Sequence, residues 1–261
     1  MYTNKDIEEA KAFIKERVKA EIAMQNHLDE MLIWAAKEIV AIAYKYKIKA
    51  SLFRFSANKQ LEAEVNEVIK KLRQKLYMAA ETLSVNVDEK QQSNIIAFIN
   101  APQYGKTLKE RINTYTNRYK YEIEAFVAAG LLARKSTESL LAAIKQDLAA
   151  PYNNKLFKQS ILAGSLMATR IKSKGVSYGT GHATSSRNML NILSRNIVAA
   201  AWMHIYGQVA KSKGAIGFYS FRGSSYPCAH CDDMVGYHPI EEYKGYWHPN
   251  CRCYFVFVYQ N

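Results

Sequence analysis

The chain has 261 residues, 49% of them hydrophobic, and a formal net charge of +13. That is enough apolar material for a sizeable core in one or two domains. Membrane insertion is not expected: of the most apolar stretches, Met31 to Tyr44 is broken by Lys37-Glu38, and Ala125 to Ala133 is too short for a bilayer. The start, MYTNKDIEEAKAF, is charged and periodic rather than an apolar run ending in a cleavage site, so no signal peptide is expected and the cytoplasm is the default compartment.

Along the chain, Leu28, Met31, Leu32, Ala35, Ile39, Ile42 and Tyr46 recur at three- and four-residue spacing, as do Leu61, Val65, Val68, Leu72, Leu76 and Leu83. Charged residues fill the other faces, and both patterns predict amphipathic helices. Ala101-Pro102 and Gly105 precede a third helix through Leu108, Ile112, Tyr115, Tyr119, Ile123, Phe126 and Leu131, with Thr107 and Glu110 as a capping box. Its tyrosines, beside Arg111, Arg118 and Lys120, invite a base-stacking reading. Rings at helical spacing are instead expected to bury in a core.

A short helix from about Thr137 to Ala149 stops at Pro151, which marks the expected boundary between a helical region, 1–150, and a second domain, 151–261. A helix near Asn154 to Lys172 follows, then the loop KGVSYGTGHATSS. Its glycines resemble a phosphate cradle, but no strand precedes them and no Gly-Lys-Ser/Thr follows. The next helix opens at Ser185 or Ser186 and runs to Lys213, with Gly214 as its stop. His204 on it has no acid or nucleophile at helical spacing and reads as a packed side chain. Ile216 to Phe221 and Cys253 to Tyr259 alternate or run apolar as strands. Paired, they would frame the segment between them. The expected fold is mainly α, with helices packed on a short C-terminal β-sheet in a small α+β module.

Charge is uneven. Between Asp147 and Asp232 there is no acidic residue, yet the segment holds Lys155, Lys158, Arg170, Lys172, Lys174, Arg187, Arg195, Lys211, Lys213 and Arg222. A one-signed stretch suits phosphate backbones or an acidic protein surface. Arg187, Arg195, Lys211, Lys213 and Arg222 are the candidate contacts.

All four cysteines lie at the C-terminal end, as Cys228-Ala229-His230-Cys231 and His248-Pro249-Asn250-Cys251-Arg252-Cys253. In C-x-x-C both sulfurs can face one point, and a second cluster on a returning segment can close a tetrahedron around zinc. Cys251 and Cys253, two apart, share a face of an extended strand. Four ligands are to be drawn from Cys228, Cys231, His248, Cys251 and Cys253, with His230 and His238 outside the set. Reduced structural thiols and disulfides are the competing readings.

The run from Arg195 to Ala199, the aromatic turn Gly217-Phe218-Tyr219-Ser220-Phe221, the C-x-x-C, Met234-Val235-Gly236 and the closing Trp247-His248-Pro249-Asn250-Cys251-Arg252-Cys253 together resemble the phage Mu F-like minor head proteins, also called head morphogenesis proteins. The resemblance covers about 151–258. It departs from the family at Asn196-Ile197, where an acidic side chain usually follows Arg-Thr. The resemblance implies a minor structural component of a tailed-phage or prophage head, near the portal, in assembly or DNA delivery. Its partners would be portal and head proteins and DNA, and it would pass from host cytoplasm to virion.

Enzymatic readings are weaker. C-x-x-C is half of a zinc deaminase signature, but neither His182 nor His204 is followed by the required glutamate. A metal-dependent nuclease or toxin-like DNA-acting enzyme is the alternative, through His238, Glu241, Glu242 and His248, whose spacing matches no diagnostic pattern. A zinc with four protein ligands would leave no open position for catalysis.

Overall fold

The computed structural model describes residues 2–103, 105–156, 185–248 and 250–260. Its helices are α1 (Asn4–Lys45), α2 (Lys59–Val85), α3 (Gln92–Asn100), α4 (Leu108–Leu132), α5 (Thr137–Gln146), α6 (Ser186–Ser212) and the short α7 (Ala229–Asp233). Three strands, β1 (Ala215–Phe221), β2 (Gly236–Pro239) and β3 (Tyr254–Tyr259), form one antiparallel sheet in the order β2-β1-β3. The chain is thus mainly α with a small C-terminal α+β module, as the patterning predicts. Among the described residues no helix is long and apolar enough to cross a membrane. Most of the helix expected near Asn154 to Lys172 and of the glycine-bearing loop after it lies outside the described residues.

Two compact units are assembled from non-contiguous segments: Met1–Gln25, Ala79–Ala101 and Ser194–Asn261 in the first, Asn26–Met78 and Pro102–Leu193 in the second. The division expected at residue 150 falls inside the last of these segments. The second unit is helical. Leu28, Leu32, Ala35 and Ile39 of α1, Leu61, Val65 and Leu72 of α2, and Ile123 and Phe126 of α4 are buried. Tyr119, expected in a core, is 1% exposed, and its hydroxyl donates to the Leu32 carbonyl at 2.5 Å. The Thr107–Glu110 capping box forms in full at the start of α4.

In the first unit, α1 begins much earlier than the Leu28 stripe suggests. Thr3 and Asp6 cap it reciprocally: the Thr3 amide donates to Asp6 at 2.7 Å and the Asp6 amide to the Thr3 hydroxyl at 3.3 Å. The buried positions along this stretch are Ala10, Ile14, Arg17, Ala20, Glu21 and Met24. This is helical spacing, but with an ion pair where two apolar residues would complete the pattern.

The first unit's core gathers Ile14, Met203, Ala210, Phe218, Phe255 and Phe257 together with Cys231, Cys251 and Cys253. His204 packs its ring on Phe98 with centroids 4.1 Å apart, and burial lowers its pKa. Gly214, at φ 80°, stops α6 in the left-handed conformation that glycine adopts at no steric cost. Gly207 lets α6 approach Tyr243: a Cβ there would stand 2.1 Å from the ring, whose hydroxyl donates to the Met203 carbonyl at 2.7 Å. Gly207→Ala is therefore expected to cost about 1–3 kcal/mol, the usual penalty of overpacking. Urea denaturation of both forms checks this, the midpoint falling with the slope unchanged.

Candidate metal centre

Antiparallel pairing of β1 with β3 explains why cysteines distant in sequence meet. The ladder ends with Phe221 opposite Tyr254, so the chain leaving β1 and the chain entering β3 lie side by side at one end of the sheet. Cys253 precedes β3 directly, and Cys228 follows β1 after a short loop. At Gly223 the two segments touch, since a Cβ there would lie 1.8 Å from the Arg252 carbonyl oxygen. Arg222 organises the loop: it donates to the carbonyls of Cys228 and Ser224, each at 3.2 Å, and also to the Tyr226 carbonyl and the Asp232 carboxylate.

On the second segment a tight turn brings the Cys251 amide to the His248 carbonyl at 3.0 Å, with Asn250 in the left-handed region at φ 64°. Asparagine tolerates that conformation better than most residues with a Cβ. The Trp247 indole donates to the Ser220 hydroxyl of β1 at 2.9 Å, which holds the turn against the sheet.

Two groups of potential ligands result, Cys228–Cys231–His248 and Cys231–Cys251–Cys253, each with its donor atoms within 4.8 Å of one another and with Cys231 common to both. His248 Nε2 lies 3.4 Å from Cys228 Sγ and 2.9 Å from Cys231 Sγ, and Cys231 Sγ lies 3.9 Å from Cys251 Sγ. Around a tetrahedral zinc, bond lengths of about 2.3 Å to sulfur and 2.0 Å to nitrogen set S···S near 3.8 Å and S···N near 3.5 Å. The Cys228–His248 and Cys231–Cys251 separations match that spacing, whereas Cys231 and His248 stand closer together than such an ion would set them. All four cysteines are free thiols. His230, expected outside the set, turns its Nε2 to the Trp247 carbonyl, and His238 is occupied by Glu242 at 3.0 Å and the Met234 carbonyl at 3.1 Å.

The thiols divide the protons unequally. Cys251 is held down to about 5, first by the hydrogen bond from the Cys253 thiol, then by backbone donors at Trp247 and Cys253. Cys253, as that donor, is pushed far up, and burial pushes Cys231 up to about 12. Cys228 is lowered by the Cys231 amide and is the half-buried member of the set. Reactivity follows thiolate character and access. Without metal, Cys228 is expected to alkylate at least about tenfold faster than Cys253, which is 2% exposed. Peptide mapping after a brief iodoacetamide pulse, with and without added zinc, checks both this order and protection by the metal.

Beneath the sulfur cluster lies an ion network that the sequence did not reveal. Glu21, 2% exposed, meets Arg17 at 3.2 Å, Arg195 at 3.3 Å and Arg252 at 3.0 Å. Arg17, 1% exposed, donates through Nη2 to the Cys251 carbonyl at 2.6 Å. Helix α1 is thereby tied to the cysteine turn by a charge-assisted hydrogen bond.

The candidate partner contacts divide accordingly. Arg195 serves Glu21. Arg187 forms a two-pronged pair with Asp29 at 2.6 and 2.7 Å, and Arg222 is engaged with its own loop. Lys211 and Lys213, at the end of α6, are exposed. No protein-family model, curated protein or solved structure matches this chain.

Proposed function

We propose that the Cys/His cluster is a structural zinc site and that the chain is a minor head component of a tailed phage or prophage, acting in assembly or DNA delivery near the portal. The convergence of C-x-x-C and H-P-N-C-R-C on two overlapping ligand groups that share the buried Cys231 supports the reading. Chemically, Cys228, Cys231, His248 and Cys251 would hold the ion. Cys253 would remain a thiol donating to Cys251. Such a zinc supplies cross-linking of a region with little regular structure, and no bond-making chemistry.

Of the basic contacts, Lys211 and Lys213 are the side chains available to DNA or an acidic portal surface; the arginines would contribute only through charges already partnered. Zinc analysis of protein purified without chelator should give near one equivalent. Mass spectrometry of purified particles, with a portal pull-down, should find the chain at a few copies. Absence from particles would overturn the head assignment without touching the zinc site. The nuclease alternative requires cleavage of plasmid DNA that is lost in His248→Ala. Nothing in the environment of His238 favours it, since both ring nitrogens are already engaged.

A further inference from the structure

Strand β3 is an edge of the sheet, paired only with β1 among the described residues. Beside it runs a groove of about 450 Å³ lined by Val256, Phe257 and Tyr259. Consecutive residues of a strand point to opposite faces, so a groove that touches both Val256 and Phe257 lies along the strand's edge rather than over either face.

Its two walls are helices. The first turns of α1 supply Asp6, Glu9 and Phe13, and the end of α6 supplies Tyr206, Val209 and Lys213. Phe13 and Tyr206, which stack at 4.2 Å, join the two walls. The Tyr206 hydroxyl donates to the Phe255 carbonyl at 3.0 Å and so caps the edge there with a side chain. In an antiparallel ladder the backbone groups of alternate residues point to the same side of the strand. If the Phe255 carbonyl points outward, so do the amide and carbonyl of Phe257, beyond the tyrosine cap. Phe257 itself is buried, at 8% exposure, but a backbone pair that the sheet leaves without a partner strand is what an added strand uses.

We propose that this edge takes an extended peptide segment of a partner protein by strand addition, its backbone pairing with Phe257. Its apolar side chains would sit on the groove floor, and a lysine or arginine would face Glu9. Two carboxylates, Asp6 and Glu9, line the α1 wall. Asp6 is occupied in capping Thr3, whereas Glu9 is 66% exposed and makes only a 3.7 Å pair with Lys5. A basic residue is therefore the complementary choice toward the α1 wall, while Lys213 makes the other wall the basic one. The proposal requires no metal.

The test uses the full chain, labelled with ¹⁵N, and a short end-blocked peptide of alternating valine and lysine. Binding should shift the Phe257 and Tyr259 amides and slow hydrogen exchange at Phe257 by about tenfold or more at saturation. The same peptide N-methylated at alternate residues cannot pair and should leave those amides unchanged. Glu9→Lys, an exposed change that the fold tolerates, should weaken the valine–lysine peptide by about fivefold and favour a valine–glutamate one. The inference fails if the unmethylated peptide leaves Phe257 and Tyr259 untouched at about millimolar concentration. It also fails if the methylated peptide acts equally well, or if Glu9→Lys does not change the preference between the two charges.

Discussion

Glu21→Gln is expected to destabilise the protein by about 3–5 kcal/mol, a large share of the total stability of most domains. The substitution keeps the side chain's shape and removes only its charge. Arg17, at 1% exposure, would then lie in the interior with the Cys251 carbonyl but without its nearest counter-charge, and Arg252 would lose an acceptor that it meets with both oxygens at 3.0 Å. Removing one member of a buried ion network costs more than the network contributes, because the remaining charges stay desolvated. Urea denaturation measures the loss. Adding Arg17→Met to Glu21→Gln should restore part of it, because the orphaned cation is gone. A loss below about 1 kcal/mol would mean that the remaining groups rehydrate, and so that this part of α1 separates readily from the cysteine turn. Because Arg17 holds the Cys251 carbonyl, the same variant should lower zinc affinity by about 10- to 100-fold, the usual effect of disturbing an outer-shell partner.

The second large effect is expected at Cys231, the thiol shared by both ligand groups. Cys231→Ser should reduce zinc affinity by more than about 100-fold and loosen the turn that begins at His248, since ligand removal exceeds any outer-shell change. Cys253→Ser should cost only about tenfold, as its role is to donate to Cys251. Competition with a chromophoric chelator gives both numbers, and the thiolate charge-transfer bands of a cobalt-loaded sample count the sulfurs bound. Equal losses in the two variants would place Cys253 in the coordination sphere.

The pH dependence carries a definite sign. At neutral pH Cys251, near 5, is already a thiolate, whereas Cys231, near 12, must give up a proton to the incoming metal. Affinity should therefore rise with pH through the neutral range and fall more steeply below about pH 5, where Cys251 is protonated as well.

Much of this protein was legible in the sequence because local physics and tertiary structure agree there. The Thr107–Glu110 box starts α4, Gly214 stops α6, and the apolar runs around Ile216 and Phe257 pair as strands. The spacing of the C-x-x-C and of Cys251 and Cys253 also identified the residues that converge, because ligand chemistry is written in side-chain type. β2 escaped notice. It is four residues long, polar and ends in Pro239, and it exists because β1 offers it an edge.

Tertiary structure alone decided what surrounds the cluster. Arg17 and Glu21 stand at helical core positions, where a reading by hydropathy assigns charged residues to solvent. They are buried because Arg195, Arg252 and the Cys251 carbonyl, remote in sequence, meet them there. The same holds for the basic segment. Charge counting assigned Arg187, Arg195 and Arg222 to a partner, whereas Asp29, Glu21 and a loop of carbonyls engage them. Whether a charge is free depends on what lies within a few ångströms of it, and composition carries no distances.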